Sequence, residues 1–168
     1  MTELDQVWSQ MLVDATRNAA ASGQHAVADF LRLKATNDAI RSTGVRWLFD
    51  AFIEMAGEAV RTRAALTMER DEPHNFAHGS SNMVGSRLLI RHGVRCLTVE
   101  AGWTRTPGDG IMRGGALALA RISHFGMPRH TDEFKLIHGD DLPLWITAAG
   151  TPAGTADLRR HFNLFLET

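Results

Sequence analysis

Apolar positions recur at helical spacing through the first part of the chain. Leu4, Val7, Trp8, Met11, Leu12 and Ala15 follow the i, i+3, i+4, i+7 rule of a single helix face. With Thr2 as N-cap and Gly23 as stop, they predict a helix over about 3–21. Val27, Phe30, Leu31, Ala35 and Ile40 predict a second helix over about 24–42, closed by Gly44. Leu48, Phe49, Phe52, Ile53, Ala56, Ala59 and Val60 predict a third from 45 to about 68, with Arg46, Asp50, Glu54, Glu58 and Arg61 toward its other side.

Beyond the segment DEPHNFAHGSSN, read as a loop, the period drops from 3.6 toward 2. Residues 86–92 and 95–105 flank His-Gly-Val and predict a hairpin in which Gly93 takes a positive φ. In its second strand Leu97, Val99, Ala101 and Trp103 point one way, while Cys96, Thr98, Glu100 and Thr104 point the other. Residues 116–125 carry the helix-favouring run ALALA. They are read as a strand because glycines precede them and Gly126 and Pro128 follow. Short strands at 134–138 and 142–148 and a last helix over about 155–166, with Leu158, Phe162 and Phe165 on one side, complete the pattern.

Composition sharpens the division near residue 72. All five prolines lie after it, and before it the glycines are only Gly23, Gly44 and Gly57. The expected fold class is α+β: an N-terminal three-helix layer packed on an antiparallel sheet of four to five strands, with a closing C-terminal helix. At 168 residues, 44% hydrophobic and 22% charged, the chain reads as a single domain over 1–168, with 1–72 helical, 73–154 a β-meander and 155–168 the last helix.

Cys96 has no second cysteine to pair with, so no disulfide forms within the chain, and a reducing cytoplasm is the expected compartment. Glu3 and Asp5 stand where a secretory signal carries positive charge, and no run of about 18 apolar residues occurs, so neither export nor a membrane span is expected. A net charge of −1 gives no global attraction to nucleic acid or anionic lipid, and nucleic acid ranks last among partners.

Charge is local instead. Arg87, Arg91, Arg95, Arg105, Arg113, Arg121 and Arg129 fall in a stretch whose acids are only Glu100 and Asp109. Planar guanidinium forks suit carboxylate or phosphate. This points to a small anionic ligand on the sheet face, held by Arg91, Arg105, Asp109, Arg113 and Arg121 with the glycine-rich turn TPGDGIMRGG. The turn matches neither phosphate-loop spacing, and alternate arginines on a strand also mark a solvated face.

His74 and His78 would share a zinc ion only if their loop curled into a helical turn. Glu100, mid-strand between Val99 and Ala101, needs a cation: Arg91 or His92 would make a structural cross-strand pair, whereas His124 or a histidine of the 74–78 loop would make a general-base arrangement. The leading reading is an intracellular protein binding a small anionic ligand or a protein partner. The alternative is a hydrolytic enzyme built on Glu100, His124 and the loop histidines, with or without a metal. A third reading is a purely structural protein. A helix face rich in Ala, Phe and Met favours a homodimer.

Overall fold

The computed structural model describes residues 3–62, 64–112, 114–140 and 142–167, with the side chains of residues 3–5 excepted. Three helices and six strands follow in the order α1 (Glu3–Ala21), α2 (His25–Arg61), β1 (Thr67–His78), β2 (Ser81–His92), β3 (Arg95–Trp103), β4 (Ala118–His124), β5 (Asp132–Ile137), β6 (Leu144–Thr147) and α3 (Thr155–Glu167). The class is α+β, with one antiparallel sheet in the order β1-β2-β3-β4-β5-β6. The chain divides into two compact units, Met1–Ser42 and Thr43–Thr168. Thr2, the expected N-cap of α1, lies outside the described residues.

Two expectations need correction. The second and third predicted helices are a single 37-residue helix, so the first part of the chain holds two helices and not three. Gly44 does not stop it. A Cβ there would stand 2.7 Å from Leu136 Cδ2, and the Gly44 carbonyl accepts a buried 3.0 Å hydrogen bond from Trp145 Nε1, so this glycine marks a close approach of helix to sheet. The sheet has six strands where four to five were expected, because residues 71–78 of the segment read as a loop are the outer part of β1. β1 also begins at Thr67, inside the span assigned to the third helix.

In the first unit Gly23, at φ 76°, reverses the chain between α1 and α2. The Lys34 ammonium lies 5.6 Å from the centre of the Trp8 ring, so the two helices run back along one another. Among the described side chains of this unit only Leu12, Ala19 and Ala28 are buried.

The core of the second unit is larger. Leu48, Phe49, Phe52, Met55 and Ala56 of α2 are buried, as are Leu88, Ile90, Leu97, Val99, Ala101, Ala118, Ala120, Ile122, Phe134 and Leu136 from the strands. Leu158, Phe162 and Phe165 are buried on α3. The strand registers Leu88↔Val99↔Ile122 and Ile90↔Leu97↔His124 show these to be alternate positions on one sheet face. The 116–125 segment is a strand over Ala118–His124, and Gly93 turns the β2–β3 hairpin at φ 59°. The opposite face, which carries Glu100, has its own order.

Candidate functional site

On that opposite face the registers Asp71↔Arg87, Arg87↔Glu100, Glu100↔Arg121 and Arg121↔Glu133 line up one side chain per strand from β1 to β5. The row alternates acid and base. Arg87 Nε donates to Asp71 Oδ2 at 2.8 Å. Arg121 grips Glu100 Oε2 with Nε at 3.0 Å and its terminal nitrogen at 2.7 Å, two charge-assisted bonds that converge on one carboxylate oxygen.

The end of the β1–β2 hairpin folds over this row. Pairing slips between Asp71 and His74, and two glycines face each other at Gly85↔Gly102, where a Cβ on Gly85 would collide with the Ala101 carbonyl oxygen. Strands meeting this closely leave no room for side chains and bend the hairpin arm inward. His74 Nε2 consequently reaches across β2 to Glu100 Oε1 on β3 at 2.8 Å, and His78 Nδ1 lies 3.2 Å from Glu133 Oε1. Phe76 stacks on His74 and sits beneath the Arg121 guanidinium, which also donates to the Ala77 carbonyl.

Glu100 is thus enclosed, its side chain 12% exposed. Burial pushes its carboxyl pKa upward, but hydrogen bonds from His74 and Arg121 outweigh that and hold it below the usual carboxylate value. His74 and His78 are each engaged by a different carboxylate, and among the described residues no group of three His, Cys, Asp or Glu side chains is arranged to hold a metal ion.

His124 does not join Glu100. Its register partner is Leu97, three residues from Glu100 along β3, so the two side chains stand on opposite faces of the sheet. On the core side His124 Nε2 lies 3.1 Å from His161 Nδ1 of α3, and His161 Nε2 lies 3.0 Å from Asp132 Oδ2, which Arg160 also contacts. With Asp132 accepting from His161 Nε2–H, the Nδ1 lone pair of His161 is left to accept from His124, and the three groups form a relay. Burial drives the His124 pKa down to about 4, helped by the neighbouring His161 and His130 and opposed by Asp132. His161 is lowered too, by burial first, against the pull of Asp132. Both rings are therefore neutral at pH 7. His161 and Asp132 were not among the sequence candidates, although His161 falls three residues after Leu158 and four before Phe165, a spacing that signals the same buried helix face.

The remaining sequence candidates are dispersed. Asp109 Oδ2 accepts from the Thr106 backbone N–H at 2.9 Å, the Thr106 hydroxyl and the Arg105 N–H, closing a short turn over Pro107–Asp109. The backbone bond from Thr106 is the main reason its pKa is lowered. Arg105 stacks 4.0 Å from the Trp103 ring centre. Arg91 is exposed at the far end of β2, and Arg113 lies outside the described residues. A groove of about 380 Å³ lined by Thr43, Arg46, Trp47, Asp50, Glu54 and Arg159 contains none of the candidates.

One further surface stands out. In the first unit Val7, Trp8 and Met11 on α1 and Val27 and Phe30 on α2 are exposed, from 46% at Val27 to 65% at Phe30. Their spacing sets each group on one side of its helix, and the contact of Lys34 with Trp8 brings those sides together. No helix among the described residues is long and apolar enough to cross a membrane. The chain matches no family model, no curated protein and no solved structure.

Proposed function

We propose that the chain is a binding protein whose partner is another protein, docked on the apolar face of the α1–α2 hairpin. The carrying observation is the exposure of Val7, Trp8, Met11, Val27 and Phe30 on a unit in which, among the described side chains, only Leu12, Ala19 and Ala28 are buried. Two helices with so thin an interior bury less surface than a stable fold requires, and contiguous exposed apolar side chains mark an interaction surface.

The sheet face supports a small anionic ligand less well. Arg87 and Arg121 already hold carboxylates at hydrogen-bond distance, so their charge is spent within the fold. A photo-reactive amino acid at position 30 tests the docking reading: ultraviolet light in cells producing the protein should give a covalent protein adduct there and none from position 13. Equal yields at both positions, or none, would refute it.

The enzymatic reading keeps one specific support. Glu100 orients His74 at 2.8 Å, as an acid orients a catalytic imidazole. Under that reading Glu100→Gln would abolish hydrolysis of model esters, while under ours the purified chain shows no such hydrolysis to lose.

A further inference from the structure

Resting on the docking reading just given, we propose that the protein seated on the hairpin face is a second copy of this chain, the two hairpins closing into a four-helix bundle about a two-fold axis.

Area is the first argument. An aromatic side chain buries about 150–250 Å², and Trp8 and Phe30 are 47% and 65% exposed. Together with the half-exposed Val7, Met11 and Val27 they offer on the order of 400 Å² of apolar surface. Two copies contribute about 800 Å², and apolar atoms make up about 60% of an interface. The complete contact is then about 1,300 Å², inside the range of about 1,200–2,000 Å² of specific, stable interfaces.

Charge is the second. A two-fold interface presents the same patch to itself, so any unbalanced charge meets its own likeness. Here the charges beside the apolar side chains are already compensated on their own helix. On α2 Asp38 holds both Lys34 at 3.1 Å and Arg41 at 2.9 Å. Asp14 lies 3.5 Å from Arg17 on α1. Such a patch suits a copy of itself better than a strongly charged partner. Antiparallel helix pairs joined by short loops are also the ordinary halves of four-helix bundles.

Sedimentation equilibrium of the full chain over a wide concentration range tests this, together with Met11→Glu, Phe30→Glu and the control Val13→Glu. Position 13 lies about 200° around the helix from position 11 and is itself exposed. Expected are a species of twice the 18.5 kDa chain mass, association weakened at least about a hundredfold toward monomer in the two face variants, and an unchanged dimer in Val13→Glu. Circular dichroism of each variant separates loss of association from loss of folding.

A dimer indifferent to both face substitutions overturns the proposal, and so does a monomeric wild type. Binding of an anilinonaphthalene dye then distinguishes the two failures. If a monomeric wild type binds dye that Phe30→Glu does not, the face is open for a different protein and only the second copy is excluded. If dye binding is equal in both, the docking reading falls as well.

Discussion

Replacing His124 with Gln isolates one acid-sensitive contact in the fold, the bond from His124 to His161. Gln carries its amide nitrogen near the position of Nε2, so a donor to His161 Nδ1 is retained, but the group no longer titrates. In the wild type the native pKa is lowered from 6.5 to about 4, so the unfolded chain binds this proton more readily than the native one. Stability is complete above the unfolded value and is lost as pH falls from about 6.5 toward 4. A gap of about 2.5 pH units at about 1.36 kcal/mol each corresponds to about 3 kcal/mol over the whole window, of which about 2 kcal/mol falls between pH 7 and pH 5. The assay is urea unfolding of both proteins at those two pH values, followed by circular dichroism. The wild type should lose about 2 kcal/mol more than the variant. Equal losses would show that His124 is not held neutral by its surroundings, and the relay as described would be wrong.

Two further expectations concern the other face of the sheet. Glu100→Ala leaves the Arg121 guanidinium and His74 under the hairpin arm without their anion, and should cost about 2–4 kcal/mol in urea unfolding. A cost within about 0.5 kcal/mol of zero, the range of ordinary surface changes, would mean that the arm is not latched there. Gly85→Ala would drive a methyl group into the Ala101 carbonyl, and should cost more than about 3 kcal/mol or prevent folding. Wild-type stability in that variant would overturn the close-approach account of the bend.

Local signals found the helices and most of the strands, and what they missed depended on distant residues. Gly44 reads as a stop because nothing nearby reveals that Leu136 and Trp145 will close on it. β1 escaped because it is polar on both sides: TMERDEPHNFAH shows no period of two, and its pairing slips at Pro73. Glu100 needed a cation, as burial of a carboxylate demands, but Arg121 was legible only as a ligand-binding candidate. The pairing of Glu100 with His124 failed on parity. Strand alternation places each residue within its own strand, while register decides which residues of two strands share a face, and register is set by the whole sheet.

The order of the sheet leaves an outer strand at each end, β1 and β6, with backbone groups free to recruit another chain. β6 is only four residues long, and Pro152 lies against it through an isolated bridge to Ile146. β1 is twelve residues long, which would make it a template for stacking, but it carries the run Glu69, Arg70, Asp71, Glu72 and Pro73, exposed except for the half-buried Asp71. Four charges and an imino acid repel or block an incoming strand. Resistance to aggregation is thus concentrated in five consecutive residues, and the segment that hid β1 from a reading of the sequence also keeps the folded sheets apart.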